Sequence, residues 1–518
     1  MTPAPVFEPV IGLEVHIQLH TLSKAFSGSR VPVFGRLRTR DGSPDEADPG
    51  FASYGQPNTH IDAYTIGLPG TLPVPNHRAI EYALRLGLAC GCRIAQTCEF
   101  SRKHYFYPDL PKGYQLTQHD QPLCTGGGLD FLHAGKKLRI GLVRMHIEED
   151  AAKLTHLLAE KRTLIDFNRA GVPLVEVVTL PQIRSAGEAA EFLRALHGLA
   201  RCLGITTGRL EDGSLRCDVN VSVRREGETA LSQRVEVKNI NSFRNVVRAI
   251  DFELSRQTAL RQADQTVQPE TRRFNAETGT TEPMRAKEHA ADYHHLVDQD
   301  LPPLVIDPVW LESIRAALPE TPMQRFDRYR LQLGLSLSEA HILSRDVELC
   351  AYFEGALRGC GLTETSTELS AATRRRVGCC VRFIVHEWLG RLRRHDLSIV
   401  SSPVKPEDLG ELIRFLDSGN ISSKQAKDVF GQMWETQKTA AEIIQSQGVA
   451  QTADDEEIRS ACHAALSDPS LQAVLHKVPE NPRVISFFVG RVLREMKHRG
   501  NPERIAAVLL QLLKTEKS

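Results

Sequence analysis

Aromatic residues make up only 6% of the 518-residue chain, and no apolar run approaches the ~20 residues that a membrane-crossing helix needs. Neither sign of charge is in excess, since 64 Lys plus Arg balance 64 Asp plus Glu. A whole-molecule electrostatic hold on nucleic acid is thereby excluded, and any such contact has to come from local patches. Met1–Glu8 contains no basic stretch followed by an apolar one, so no export signal is expected. The eleven cysteines are scattered, with Cys379 and Cys380 adjacent. Free thiols in a reducing cytoplasm are the expectation for such a chain.

Several catalytic signatures are also missing. Gly135-Lys136 is followed by Lys137 and has no glycine five residues earlier, so there is no phosphate-binding Walker loop. No GxGxxG follows a strand, Gly126-Gly127-Gly128 reads as a turn, and no GxSxG elbow occurs. Cys90 and Cys92 form a CxC without a second pair at zinc spacing.

What is present is the composition of an ordinary globular protein, 41% hydrophobic and 25% charged, long enough for roughly two to four domains. Ile11, Leu13, Val15, Ile17 and Leu19 alternate with Glu14, His16, Gln18 and His20, which predicts a half-buried strand. Leu215–Arg224 and Val235–Lys238 repeat the pattern, as expected of an antiparallel sheet with one polar face. Asn76 and the pair Ser185/Glu188 are placed to cap two helices. Strand patterns fade near Leu301-Pro302-Pro303, and Ser401-Ser402-Pro403 reads as a linker before further helical periodicity. The fold class is therefore α+β: a mainly antiparallel sheet body over residues 1–300, a helical middle domain over 301–402 and a small helical domain over 403–518.

Side chains two apart on a strand lie about 6.5 Å apart on one face. Glu14 and His16 could thus share one substrate group or one ion, Mg²⁺, Mn²⁺ or Zn²⁺, with a hard ion favoured if the remaining ligands are oxygens. Taken alone, a solvated strand face explains them as well. Glu148-Glu149-Asp150 could equally be a surface turn. Glu176 is different, because it stands alone in the apolar run Pro173–Leu180, where a carboxylate needs a partner or a metal. A salt bridge, for instance with Arg169, would satisfy it too. Arg102-Lys103-His104-Tyr105-Phe106-Tyr107 mixes cations and rings. Core packing is the simpler fate of the rings, and Lys103 could offer a cation to phosphate or carboxylate. Arg374–Arg376, Arg382, Arg391, Arg393 and Arg394, and later Arg491, Arg494, Lys497, His498 and Arg499, form basic helical stretches. These suit a solvated face or a phosphate backbone.

Taken together, Ile11–His16, Arg102-Lys103 with Tyr105–Asp109, His146 with Glu148–Asp150, Asp166 with Asn168–Leu174, Gly213–Asp218, and Lys238-Asn239 with Asn241–Phe243 resemble the B subunit of glutamyl/aspartyl-tRNA amidotransferases in order and spacing. The resemblance runs from about residue 8 to the end. It implies a cradle-like sheet domain that uses ATP and Mg²⁺ to phosphorylate the side-chain carboxylate of Glu-tRNA(Gln) or Asp-tRNA(Asn). The carboxylate is then amidated with ammonia released from glutamine by the A subunit. A small C subunit clasps the other two into a cytoplasmic heterotrimer, and the helical tail binds tRNA. It further implies His16, Glu149 and Glu176 as magnesium ligands, Glu14 beside them for a second ion or the substrate, and Lys103 at the ATP phosphates. A metal-dependent phosphohydrolase and a non-catalytic tRNA-binding assembly protein are the alternatives. Two departures stand out. Ser27 and Ser29 replace the first cysteine pair of the family's zinc site, and His60–Ala63 contains no cysteine, so no structural zinc is expected. The loop Val31–Gly50 is longer than usual.

Overall fold

The alternation at the N-terminus folds as β1, Phe7–Gln18, a central strand of the main sheet. The computed structural model describes residues 6–32, 56–208, 214–284, 294–362, 370–447, 455–468, 483–496 and 502–515. Most of the Val31–Gly50 loop, and Lys497, His498 and Arg499, lie outside these residues. The chain forms two compact units, Met1–Phe326 with Arg345–Val347, and Asp327–Ser344 with Glu348–Ser518.

In the first unit the strands that matter are β1, β2 (Ser101–His104), β3 (Tyr114–Thr117), β4 (Lys136–Glu149), β5 (Pro173–Thr179), β6 (Leu215–Arg225), β7 (Val235–Lys238), β8 (Glu270–Asn275) and β9 (Thr280–Pro283). The ten-stranded main sheet runs β9-β8-β7-β6-β1-β5-β4 and continues into short strands at Cys124–Thr125 and Arg93–Ile94, with Gly128–His133 pairing beside β4 as the tenth. β1 pairs antiparallel with β5 and β6, and β5 antiparallel with β4, whereas β7 and β8 pair parallel. A separate three-stranded sheet holds β2 and β3. This is the α+β architecture that the patterning implies.

Three helices cover one face of the main sheet: α1 (His77–Ala89), α2 (Ala186–Cys202) and α3 (Phe243–Gln262). Each starts at a side chain that satisfies otherwise unpaired amides. Asn76 accepts from Arg78 and Ala79 N–H (2.9 and 3.2 Å), Ser185 from Glu188 N–H (3.1 Å) and Ser242 from Asn245 N–H (3.1 Å). Ile11, Leu13, Val15 and Ile17 of β1, Met145 and Ile147 of β4 and Val175 and Val177 of β5 pack against Phe192, Leu193 and Leu196 of α2 in one core. Because side chains alternate along a strand, everything interleaved with these residues faces the other way. That opposite face carries the polar stripe.

The helical character sets in at α4 (Pro308–Ala316), whose Ile314 still belongs to the first unit's core. The second unit is helical. α5 (Ala371–Arg382) continues through a π-helical turn, Phe383–Trp388, into α6 (Leu389–Arg394). α7 (Pro406–Asp417) starts with proline and α8 (Ser423–Thr436) with a capping box on Ser422 and Gln425. Near the chain end, α9 (Asp455–Leu466), α10 (Arg483–Glu495) and α11 (Pro502–Thr515) share their own small core around Cys462, Phe488, Val492 and Ile505. Among the described residues no helix is long and apolar enough to cross a membrane.

Candidate active site

Strand register places one polar row across four neighbouring strands. Arg216 on β6 is opposite His16 on β1, His16 is opposite Glu176 on β5, and Glu176 is opposite His146 on β4. One row away, Glu14 pairs with Asp218 and Val178; on the other side Gln18 and Glu148 flank Leu174. The side chains converge. His16 Nε2 lies 3.4 Å from Glu176 Oε2, 3.2 Å from Glu148 Oε1 and 3.9 Å from Glu14 Oε1. His146 Nε2 lies 3.5 Å from the same Glu176 oxygen.

Two sets of donors, Glu14/His16/Glu176 and His146/Glu148/Glu176, each bring their ligand atoms within 4.8 Å of one another. Glu176 belongs to both. Three carboxylates and two imidazoles are a donor set suited to a hard divalent cation such as Mg²⁺ or Mn²⁺. The electrostatics fit such an ion as well. Burial is opposed by the charge of Glu176 at His146 but, helped by Arg144, still lowers its pKa to about 4. That ring is neutral, the form in which imidazole binds metal. Its Nδ1 is buried and without a hydrogen-bond partner. Burial would lower His16 too, but the carboxylates of Glu148 and Glu176 outweigh it and raise its pKa to about 9. Burial and the charge of Glu176 push the Glu14 carboxyl up. Burial likewise pushes Glu148 up, whereas at Glu176 it is outweighed by the hydrogen bond from His16 and the electrostatic pull of His146, His16 and Arg144, which hold that carboxyl down. Carboxyls and imidazoles crowded together without a counter-ion divide protons in this way.

Cations ring the cluster. Arg216 pairs with Asp150 at 2.8 Å, and Lys238 bridges Asp218 (2.7 Å) and Glu236 (2.9 Å). Lys103 on β2 lies within electrostatic range of His146 and Glu148. The face can therefore hold a metal ion and surround it with groups that suit phosphate oxygens.

Of the residues expected from the sequence, Glu14, His16 and Glu176 come together and Lys103 stands near them. Glu149 does not join them. It follows Glu148 directly, so it points to the opposite, core-side face, as Ile147 does. There it is buried, accepting from Lys112 Nζ at 2.5 Å and from Leu116 N–H at 2.9 Å. Glu148 occupies the place by His16, and His146, two residues earlier, lies on the same face. The alternation from His146 to Glu148 was the sequence signal for both. Arg169 is not the partner of Glu176, since its guanidinium donates to Ala151 and Ala152 carbonyls and lies 3.7 Å from Asp150. Nor are the rings of the Tyr105–Tyr107 segment all core: Phe106 is 87% exposed.

A family model described as the GatB/GatE catalytic domain matches residues 9–312, and one described as a GatB domain matches residues 370–513. The chain belongs to the GatB family. Among curated relatives, the B subunit of the aspartyl/glutamyl-tRNA(Asn/Gln) amidotransferase of Persephonella marina is 38% identical over 98% of this chain and 100% of its own length. The proteins of the same name from Geotalea daltonii and Geobacter sulfurreducens are 39% and 40% identical, each match covering 98% of this chain and 99% of the relative.

Proposed function

We propose that this chain amidates mischarged aminoacyl-tRNA, Glu-tRNA(Gln), Asp-tRNA(Asn) or both, on the polar face of its main sheet. The carrying observation is Glu176, a buried carboxylate shared by two overlapping ligand sets in a family of tRNA-dependent amidotransferase subunits. A carboxylate is a poor acceptor of ammonia, because oxide is a poor leaving group. ATP makes it reactive by transferring its γ-phosphoryl group to a carboxylate oxygen. Ammonia then adds to the carbonyl carbon and phosphate leaves. Magnesium, held by His16, Glu148, Glu176 and Glu14, supplies the charge neutralisation that phosphoryl transfer between two anions requires.

The chain's own residues do the rest. Lys103, near Glu148, is positioned for the phosphate oxygens. Arg216 and Lys238 are held by Asp150 and Asp218 and fix the positive border of the site. The Lys112–Glu149 pair behind β4 anchors the strand that presents His146 and Glu148. Ammonia comes from glutamine hydrolysed by the A subunit, a separate partner chain, and the C subunit completes the assembly. Residues 403–518 hold the tRNA, and exposed Arg491 and Arg494 on α10 suit its phosphate backbone.

The test is reconstitution with the A and C subunits, ATP, glutamine and each mischarged tRNA. Amidated aminoacyl-tRNA is the expected product, reduced about a hundredfold or more by Glu176→Gln or His16→Ala. No product from either tRNA removes the proposal. ATP hydrolysis at the same rate without tRNA would replace it with a phosphohydrolase.

A further inference from the structure

Phe106 turns its ring to solvent. It is 87% exposed, and Tyr107 beside it 46%, although rings of this size ordinarily find cover in a core or an interface. The loop that carries them is tied at both ends. Tyr105 N–H donates to Gly113 O (3.0 Å), Leu110 N–H to Tyr107 O (3.0 Å), Gly113 N–H to Leu110 O (2.9 Å) and Ala152 N–H to Asp109 O (2.9 Å). Tyr105 and Tyr107 stack with ring centres 5.8 Å apart. Gly113 adopts φ +75°, and a Cβ there would meet the Phe106 ring at 3.1 Å. The glycine is what allows the ring to lie across the turn. The exposed ring is thus held in place by a braced loop.

The loop also stands beside the acid–imidazole cluster. It leaves β2 just after Arg102, Lys103 and His104, and Lys103 is in electrostatic range of His146 and Glu148. At its other end Lys112 grips Glu149 on the opposite, core-side face of β4, so it is the Lys103 end of the loop that adjoins the cluster. Open aromatic faces interleaved with cations are how proteins hold unpaired nucleotides. A free nucleotide such as ATP is held in an enclosing cleft, whereas Phe106 lies on an open turn with its ring to solvent. An open platform next to the site fits the single-stranded end of a larger RNA instead.

We infer that Phe106, flanked by Tyr107, is the stacking platform for the unpaired terminal adenine of the aminoacyl-tRNA, the nucleotide whose ribose carries the amino acid. The inference rests on the amidotransferase function proposed for the chain. Stacking there fixes the ester end of the substrate while its side-chain carboxylate reaches the cluster.

The experiment uses the reconstituted heterotrimer and Phe106→Ala, with Phe106→Trp as the variant that restores a ring. Because the ring is exposed, neither change disturbs the core. Wild-type amidation is established first, so a failure of the amidotransferase function is recognised before the variants are compared. Phe106→Ala is expected to raise KM for aminoacyl-tRNA roughly five- to 150-fold, the range for losing one base–aromatic stack. KM for ATP should stay unchanged, and Phe106→Trp should restore the tRNA value. In a second arm, uncharged tRNA with 2-aminopurine as its terminal base should show quenched fluorescence on the wild-type complex and none on Phe106→Ala. A raised KM for ATP alone would overturn the proposal in favour of an ATP-binding ring. Loss of complex assembly would overturn it in favour of an interface with a partner chain. Unchanged constants with unchanged quenching would overturn it outright.

Discussion

His16 and Glu176 face each other directly across the antiparallel pair β1–β5, with His16 Nε2 3.4 Å from Glu176 Oε2. Glu176 in turn faces His146 across β5–β4, 3.5 Å away. One carboxylate between two imidazoles, on strands fixed by backbone ladders, is a rigid arrangement. It separates what the row does chemically from what the residues around it do for stability.

Glu149 and Glu176 should accordingly respond differently to removal. Glu149→Ala leaves the buried Lys112 ammonium without its carboxylate and is expected to cost about 3–5 kcal/mol of folding stability. Glu176→Ala removes the hydrogen bond from His16 but also relieves repulsion with Glu14 and Glu148, and should cost less, while abolishing Mg²⁺-dependent amidation. Urea unfolding of both variants decides this. Equal destabilisation would mean that Glu176 is structural.

The pH dependence follows from His16. Its pKa in the metal-free chain is raised from 6.5 to about 9, so its protonated form is favoured by folding. That stabilisation is fully present below about 6.5 and is lost as pH rises through about 9. A metal has to displace the same proton, so apparent Mg²⁺ affinity should rise about tenfold per pH unit below 9. Calorimetric titrations at pH 6.5, 7.5 and 8.5 should also record proton release. Affinity independent of pH would take His16 out of the ligand set.

Ser27 and Ser29 stand where zinc-ligating cysteines are expected in related chains, and a carboxylate ties their loop down. Asp62 Oδ1 accepts from Thr65 N–H (2.8 Å) and Oγ1 (2.7 Å), and its Oδ2 accepts from Ser29 N–H (3.2 Å). Burial alone would raise the Asp62 pKa, but these bonds and one from Ser27 bring it below the usual range. Asp62→Ala should lower stability by about 1–3 kcal/mol, and zinc chelators should leave the wild-type melting temperature unmoved. A chelator-induced drop would show that a metal is bound after all.

In the helical unit, Trp388 is fully buried, stacked on Tyr352 with ring centres 3.7 Å apart, and its Nε1 donates to Ser402 Oγ at 2.9 Å. Trp388→Ala is expected to cost about 3–5 kcal/mol, read as a shift in the denaturation midpoint. A change within about 1 kcal/mol would be incompatible with this packing.

Much of this was legible in the chain itself. The two-residue period of Ile11–Leu19 and Leu215–Arg224 marked β1 and β6 and separated Glu14 and His16 from the core side. Asn76 and Ser185 marked helix starts because a short polar side chain there completes the first turn. The lone Glu176 in an apolar run announced itself by the cost of burying it. Glu149 was harder. Two identical acids in succession can be told apart only by the phase of their strand, and that phase is anchored by His146. The β4–β5 pairing also shifts by a residue between Val178 and Thr179, a long-range detail that composition does not record. Phe106 escaped for a different reason: hydrophobicity predicts burial on average, and a ring held outward for binding is the exception. The turn to helix at Leu301 was visible, but the first unit continues to Phe326, because Ile306 and Ile314 still pack into its core.

The alternation of β4 has a bearing on how such a chain can change over time. Met145 and Ile147 serve the core, while His146 and Glu148 serve the site, so chemistry and packing are written in two interleaved phases of one strand. A single-residue insertion or deletion within β1, β4 or β5 would exchange the phases, burying the acids and exposing the aliphatics. Insertions and deletions are therefore expected in the connecting loops rather than within these strands.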